Sequence, residues 1–139
     1  MHQQRVGACL CGNIQYQCEG EPLTVIQCHC KNCQKQSGSA FSVNLVYKMR
    51  QVQINRDALG HYQDRGDSGN PVHRYFCPNC GSAVVTGNAD LSGIGVIKAG
   101  TLNDTAGIAP QMSIWDCSAQ GWVRPLEGIP HFQREMEQP

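Results

Sequence analysis

The sequence predicts a small all-β protein, built from short antiparallel sheets with little helix and stabilised by bound metal. Two observations predict the strands. Apolar residues often recur with a period of two, and 15 glycines and seven prolines interrupt these runs. A third observation predicts the metal, because seven of the nine cysteines fall into three tight groups. The length of 139 residues indicates one domain, 1–139, with a core of about 6–132.

Each predicted strand has its own signal. Ile14, Tyr16 and Cys18 alternate with polar neighbours, residues 23–26 form a short apolar stretch, and residues 41–47 are rich in β-branched and aromatic side chains. The remaining predicted strands, justified by alternation or by apolar runs beside a cysteine pair, are 52–54, 72–76, 83–86 and 94–99. Residues 31–38 predict one short helical turn.

The segments between the strands are predicted to be irregular. Residues 64–71 are polar and rich in turn-forming residues, and residues 103–113 predict a second loop. The last residues, 133–139, are polar, and we expect them to be frayed.

Composition argues against nucleic-acid and membrane binding. Charged residues make up 16% of the chain, and the 11 basic and 11 acidic side chains balance. Seven metal-bound thiolates and two Zn²⁺ would move the net charge to about −3 (seven negative, four positive). We expect no signal peptide, because no apolar segment follows Met1–Arg5, and no apolar run in the sequence approaches a membrane span. We therefore expect a cytoplasmic protein, whose clustered cysteines serve metal or redox chemistry rather than disulfides.

Two of the cysteine groups are pairs that suit a structural zinc site. Cys9 and Cys11 form a C-x-C pair, and Cys77 and Cys80 form a C-x-x-C pair. Four thiolates complete the tetrahedral shell that structural zinc prefers. Gly12 and Gly81 each follow the second thiol of a pair, where glycine can adopt a positive φ and backbone N–H groups can reach the sulfurs. The alternative is two unrelated thiol turns.

The third group, Cys28, Cys30 and Cys33, supplies three ligands and so predicts a different kind of site. Three sulfurs leave a fourth position of tetrahedral zinc open to water or a substrate thiolate, as in catalytic sites. Two alternatives stay open: a metal-free redox trio, and a second structural site. The candidate fourth ligands for that second site are His29, His61, His73 and Cys117. His29 lies between two ligands, so an extended backbone would point it away from the metal.

Ser37, Gly38 and Ser39 follow the trio closely and predict a possible substrate-binding turn. Two hydroxyls and the N–H of a glycine could line a pocket for an oxyanion or a carboxylate. An ordinary turn between elements explains the same three residues.

The order and spacing of these motifs resemble the glutathione-dependent formaldehyde-activating enzyme family, which also includes centromere protein V. The matching motifs are Gly7-x-Cys9-x-Cys11-Gly12-x-Ile14-x-Tyr16, Cys28-His29-Cys30-x-x-Cys33-x-x-x-Ser37-Gly38-Ser39-x-Phe41, Arg74-x-Phe76-Cys77-x-x-Cys80-Gly81-Ser82 and Ala99-Gly100-Thr101-Leu102. The resemblance covers roughly residues 6–115. One departure follows the last motif, where the family often has Asp-Asp and this chain has Asn103-Asp104.

The resemblance implies a β-tent fold with two zinc ions per chain. Cys9, Cys11, Cys77 and Cys80 would hold a structural zinc, and Cys28, Cys30 and Cys33 a catalytic one. The implied activity is that of a carbon–sulfur lyase or synthase, which joins a thiol such as glutathione to a small aldehyde such as formaldehyde or reverses that step.

Two rival functions remain at this stage: a zinc-stabilised binding module without turnover, and a thiol redox or metal-handling protein. A dedicated glutathione site needs basic groups for its carboxylates, and the candidates are Lys31, Lys35, Arg74 and Lys98. The sequence does not fix the oligomeric state.

Overall fold

The computed structural model describes residues 4–66 and 69–135 and confirms a mainly β architecture. In chain order the elements are β1 (Gln4–Ala8), β2 (Gln15–Glu19), β3 (Thr24–Cys28), α1 (Lys31–Ser37), β4 (Ser42–Lys48), β5 (Val52–Ile54), β6 (Gly60–Arg65), β7 (Pro71–Phe76), β8 (Ala83–Gly87), β9 (Ile94–Lys98) and β10 (Met112–Ile114). Four short 3-10 turns complete the described part: Met49–Gln51, Arg56–Ala58, Ala99–Thr101 and Asp116–Ser118. The α-helix has seven residues, and no helix among the described residues is long and apolar enough to cross a membrane.

The strands form two sheets that share one apolar core. The smaller sheet has the order β1-β2-β5, and the larger has the order β10-β3-β4-β9-β8-β7-β6. The prediction of antiparallel sheets needs one correction, because β10 pairs with β3 in parallel. The other pairs are antiparallel.

Three strands escaped the sequence prediction: β1, β6 and β10. Each lies at the edge of its sheet, where a continuous apolar pattern is not required. The predicted loop 64–71 is wrong at both ends, because β6 runs to Arg65 and β7 begins at Pro71. Residues 67–68 of this loop lie outside the described residues. The predicted loop 103–113 likewise overlaps the first two residues of β10.

The C-terminal segment, residues 115–135, is also more ordered near its end than predicted. The N–H of Trp115 donates to the carbonyl of Arg134 at 2.9 Å, and the N–H of Cys117 donates to the carbonyl of Gln133 at 3.2 Å. Residues 136–139 of the predicted frayed end lie outside the described residues.

The central strands of the larger sheet have one apolar face and one polar face. On the apolar face Leu45 pairs with Ile97, Ile97 with Val85, and Val85 with Tyr75, so a buried row crosses four strands. This row contributes to the core that the larger sheet shares with the smaller one.

The opposite face carries a polar row across the same four strands. Asn44 of β4 pairs with Lys98 of β9, and Thr86 of β8 pairs with both Val96 of β9 and Arg74 of β7. Side chains at i and i+2 of a strand share a face, so Val96 and Lys98 lie side by side in this row. The register thereby assembles polar residues that are far apart in sequence.

The motif Ala99-Gly100-Thr101-Leu102 joins the two sheets. The hydroxyls of Tyr16 and Thr101 are 2.7 Å apart, and the Thr101 hydroxyl donates to the carbonyl of Lys98 at 2.7 Å. The N–H of Asn103 donates to the carbonyl of Val6 at 3.0 Å. Asn103, where the family often has Asp, therefore lies against β1 and not among the residues that line the cavity beside the cysteine trio.

Replacing Gly7 by Ala is expected to destabilise the protein by about 1 to 3 kcal/mol, because overpacking displaces well-packed neighbours. A Cβ at Gly7 would lie 2.3 Å from the Tyr16 hydroxyl and 2.5 Å from the carbonyl oxygen of Thr101. Gly100→Ala is the matched control, since nothing lies within 4 Å of a Cβ there. Urea unfolding compares the two variants, and equal free energies of unfolding would contradict the tight junction between the sheets.

Candidate metal centres

The first cysteine group brings together thiols from two distant parts of the chain. Cys9 and Cys11 follow β1, while Cys77 and Cys80 lie in the turn between β7 and β8. The four sulfur atoms all lie within 4.8 Å of one another. Cys9 Sγ is 3.6 Å from Cys11 Sγ, which is 3.7 Å from Cys77 Sγ. The group therefore ties the start of the smaller sheet to a turn of the larger one.

The turns around these thiols have the backbone that the sequence predicts. Gly12 and Gly81 have φ angles of 85° and 82°, in the left-handed region that favours glycine. The N–H of Ile14 donates to Cys9 Sγ at 3.2 Å, and the N–H of Cys80 donates to Cys77 Sγ at 3.5 Å. These hydrogen bonds stabilise negative charge on the sulfurs.

The sulfur spacing fits tetrahedral zinc rather than disulfides. A zinc–sulfur bond of about 2.3 Å places the ligands of a tetrahedral site about 3.8 Å apart, close to the distances in this group. A disulfide requires about 2.05 Å, and all nine cysteines are free. Thiolate is the donor that closed structural zinc sites use most. The four residues therefore fit a metal ion of this kind.

Ser82 also contributes to this centre, although the sequence predicted no role for it beyond its place in a family motif. Its Oγ lies 3.2 Å from Cys80 Sγ and accepts a hydrogen bond from the N–H of Leu10 at 3.0 Å. Because Ser82 Oγ is the acceptor in the bond from Leu10, the hydroxyl hydrogen of Ser82 can be donated to the sulfur of Cys80. This hydrogen bond is the main reason that the pKa of Cys80 is lowered to about 5. In the sequence, the one sign of this role is that Ser82 lies two residues after Cys80.

The second group, Cys28, Cys30 and Cys33, forms where β3 ends and α1 begins. Cys28 is the last residue of β3, Cys30 is the N-cap of α1 and Cys33 lies within the helix. The sulfurs of Cys28 and Cys33 are 3.5 Å apart, and all three lie within 4.8 Å of one another. Cys30 Sγ accepts a hydrogen bond from the N–H of Cys33 at 3.1 Å, so one thiol both caps the helix and faces the other two.

This trio has no fourth cysteine, histidine or carboxylate completing it among the residues that the structure describes. His61 and His73 contact each other, with Nε2 and Nδ1 2.7 Å apart, and Cys117 is exposed. His29 is buried and turned toward Asp116, with Nε2 3.9 Å from Oδ1. None of the four predicted fourth ligands joins the trio, which favours an open site.

Asp116 contacts three polar side chains close to the trio: His29, Ser113 and His131. It accepts a hydrogen bond from the hydroxyl of Ser113, and its second oxygen contacts His131 Nδ1. The other ring nitrogen of His131 lies 2.7 Å from the carbonyl oxygen of Leu126. These contacts hold the C-terminal segment against β10 and beside His29.

Replacing His131 by Gln is expected to remove a pH-dependent contribution to stability. The carbonyl of Leu126 and then the carboxylate of Asp116 raise the pKa of His131. A raised folded-state pKa favours the folded protein when His131 is protonated. The contribution is therefore full below about pH 6.5 and is lost as the pH rises through the folded-state pKa. Urea unfolding at several pH values should show the wild-type advantage over His131→Gln shrinking from about pH 6 to pH 8, and a constant difference would contradict this reading.

The structure gives Ser37, Gly38 and Ser39 a local explanation. All three are exposed at the end of α1. Gly38 is the left-handed C-cap, whose N–H donates to the carbonyl of Gln34, and the Ser37 hydroxyl donates to the same carbonyl at 3.4 Å. None of the three lines the cavity beside the trio. Their predicted role in binding a substrate stays a prediction without geometric support.

A cavity of about 180 Å³ opens beside the trio. Its lining residues come from the trio, the polar row, the C-terminal segment, α1 and the ends of β6 and β7 that face each other: Cys30, Asn32, Cys33, Asn44, Gly66, Val72, Arg74, Thr86, Val96, Lys98, Trp115 and Glu135. Of the four predicted basic groups, Arg74 and Lys98 are buried here, whereas Lys31 and Lys35 are exposed on α1.

Electrostatics link this cavity to the trio. Hydrogen bonds to Cys28 and Cys30 are the main causes that lower the pKa of the Cys33 thiol, and the charge of Lys98 adds to the effect. The pKa of the Cys28 thiol is raised, chiefly by its hydrogen bonds to Cys30 and Cys33, so the trio by itself favours one negative charge, on Cys33.

The family model for the glutathione-dependent formaldehyde-activating enzyme matches residues 4–118, which include every residue of both cysteine groups. The chain belongs to this family. A search of curated proteins gives no match. Among solved structures, the chain is similar to the crystal structure of a Rhodobacter sphaeroides protein, a Northeast Structural Genomics target. The TM-score is 0.55 at 15% identity, and the match covers 91% of this chain and 98% of the other. At that identity the likeness concerns the fold alone.

Proposed function

We propose that this protein is a zinc-dependent carbon–sulfur lyase or synthase of the cytoplasm, which adds a thiol such as glutathione to a small aldehyde or reverses that step. One observation carries the proposal: three sulfurs converge without a fourth ligand among the described residues, and two of these cysteines, Cys30 and Cys33, line a cavity together with buried basic residues. Membership of the formaldehyde-activating family supports the same chemistry.

In this proposal the two cysteine groups have different roles. Cys9, Cys11, Cys77 and Cys80 hold a structural zinc, and Cys28, Cys30 and Cys33 hold a catalytic one. When bound by the trio, zinc supplies a cation that keeps a substrate thiol in its thiolate form at neutral pH.

The residues of the chain then orient the reactants. Lys98 and Arg74 lie beside the sulfurs of the trio. Burial lowers the pKa of Lys98 and the charge of Cys33 opposes that shift, so a positive charge on Lys98 and a negative charge on sulfur stabilise each other; Arg74 adds a second cation, whose pKa Asp64 and Cys33 raise. The thiol sulfur forms a bond to the carbonyl carbon, the electron pair of the carbonyl moves to its oxygen, and that oxygen takes up the proton that the thiol released. The cavity holds the aldehyde beside the sulfur of the thiol, and keeping the two reacting atoms adjacent is a large part of what a catalyst of such an addition can offer.

The test is the rate of thiol–aldehyde exchange, measured by exchange NMR with glutathione and formaldehyde. The reaction also proceeds without a protein, so the controls are buffer and an equal concentration of free Zn²⁺. We expect faster exchange with the protein than with either control. We also expect a weak chelator to remove one of two zinc ions, and the exchange rate to fall to that of the controls when this ion is lost. A rate no greater than that of free zinc would overturn the proposal and favour a zinc-stabilised binding module. Facile oxidation of the trio without turnover would overturn it in favour of a redox role.

A further inference from the structure

The cavity beside the trio presents more hydrogen-bond donors than a neutral small aldehyde can use. Lys98 is 8% exposed, and its ammonium group has three N–H bonds, of which one donates to Asn44 Oδ1 at 2.9 Å. Among the ion pairs formed between described residues, none includes Lys98. Its remaining donors are available to a ligand.

Two further donors line the same cavity. The Thr86 Oγ1 atom is buried and has no hydrogen-bond partner in the described structure. Arg74 is 5% exposed and donates from its Nε to Asp64 at 2.9 Å, and its terminal nitrogens form no hydrogen bond with another of the described residues. Asn32 donates to the same Asp64 oxygen at 3.0 Å, so that carboxylate is already committed. Asp64 does not line the cavity, and the acidic residue that does, Glu135, is exposed.

The ligand that matches these donors is an anion with two acceptor oxygens. Lysine and arginine offer no acceptor, and a formaldehyde molecule offers one oxygen, whereas a carboxylate offers two oxygens with about four lone-pair sites. Buried polar donors without partners are unfavourable, so a carboxylate in this cavity would satisfy groups that the free protein leaves unpaired.

Size limits the ligand to a small acid. The cavity of about 180 Å³ is smaller than the roughly 300 to 1,000 Å³ of pockets that enclose drug-sized ligands. A two- to four-carbon acid fits such a volume, and a whole tripeptide thiol does not. Cys30 and Cys33 form one wall, so a carbonyl group adjoining the carboxylate would lie beside the trio.

We propose that this cavity binds the carboxylate of a small oxo acid, and that the physiological aldehyde substrate carries that acid group. The assignment of the aldehyde rests on the proposed function. The addition is balanced as R–SH + OHC–COO⁻ → R–S–CH(OH)–COO⁻: the carbon–sulfur bond forms, the carbonyl π bond breaks, and the thiol proton ends on the new hydroxyl oxygen.

Binding is tested without turnover on the zinc-loaded protein, with propionate and propionamide as probes that match in shape and differ in charge. Titrations followed by NMR chemical shifts should show propionate binding at least tenfold more tightly than propionamide, with shifts at the Thr86 amide and the Trp115 indole. Equal affinities for the two probes, or shifts confined to other parts of the protein, would overturn the inference.

Two variants test whether propionate binds to the proposed hydrogen-bond donors, Lys98 and Thr86. Lys98→Met is expected to weaken propionate binding by about tenfold or more, since hydrogen bonds to charged groups contribute most. Lys48→Met removes an exposed lysine and serves as the matched control with unchanged affinity. If Lys98→Met fails to fold, Thr86→Val carries the test. It removes a hydroxyl that has no partner, and we expect a normal fold with about three- to tenfold weaker binding. Unchanged affinity in Thr86→Val and Lys98→Met would contradict the proposed site.

An activity comparison separates this inference from the proposed function. Exchange of glutathione with glyoxylate should be accelerated over the uncatalysed rate more strongly than exchange with glycolaldehyde, which is similar in size and neutral. Equal acceleration of both, without propionate binding, would overturn the inference and leave the lyase in place. Propionate binding that depends on Lys98, without acceleration of any aldehyde, would overturn the lyase and support the anion site.

Discussion

Replacing Cys77 by Ala is expected to remove one tightly bound metal ion per chain and to destabilise the protein by about 4 kcal/mol or more, which places it among the most severe single substitutions. Cys77 is fully buried, and its sulfur lies 3.7 Å from that of Cys11, 66 residues earlier in the chain. Metal bound at such a site contributes directly to folding, with apparent values of about 10 kcal/mol or more for structural zinc in small peptides. Loss of one ligand therefore loosens the junction between the smaller sheet and the turn after β7.

Two measurements check this expectation: zinc content by mass spectrometry and urea unfolding under reducing conditions. Cys117→Ser is the matched control, because Cys117 is exposed and belongs to neither sulfur group. It should retain the zinc content and the free energy of unfolding of the wild type to within about 0.5 kcal/mol. A Cys77→Ala protein that keeps its full metal content and stability would show that the first group is not a structural metal site.

Replacing Cys30 by Ser is expected to abolish thiol–aldehyde exchange while leaving the fold intact. Cys30 is the N-cap of α1, and its sulfur accepts the N–H of Cys33. Serine is among the best N-cap residues, so its hydroxyl can take over this hydrogen bond. It is a much poorer metal ligand at neutral pH, because zinc in proteins is bound by thiolate, imidazole or carboxylate. We therefore expect loss of the labile zinc and at least a 100-fold lower protein-dependent rate.

The Cys30→Ser experiment combines metal analysis, circular dichroism and the exchange assay. Ser37→Ala is a useful companion, since Ser37 is exposed and its hydroxyl donates a long hydrogen bond at the end of the same helix. It should keep both zinc and the exchange rate, and a lower exchange rate with full zinc content would instead indicate a substrate role for the Ser37 hydroxyl. Full activity in Cys30→Ser would contradict an active centre at the trio.

The sequence by itself determined the features that depend on local spacing. C-x-C and C-x-x-C place two sulfurs on one side of a short turn whatever the rest of the chain does, and the glycine after each pair permits the left-handed backbone found at Gly12 and Gly81. Alternation likewise predicted β2, where Tyr16 and Cys18 are buried between exposed neighbours. The same short motifs were sufficient to recognise the family.

Tertiary structure decided the features that depend on strand register. The edge strand β6 is polar and largely exposed, so only its pairing with β7 makes it a strand. Lys98 and Arg74 are 24 positions apart and resemble solvated surface residues in the sequence. They become buried neighbours of the trio because β9, β8 and β7 follow β3 and β4 in one sheet, and the trio lies where β3 ends. No local pattern encodes such pairing, since it arises from hydrogen bonds and packing between segments that are distant along the chain.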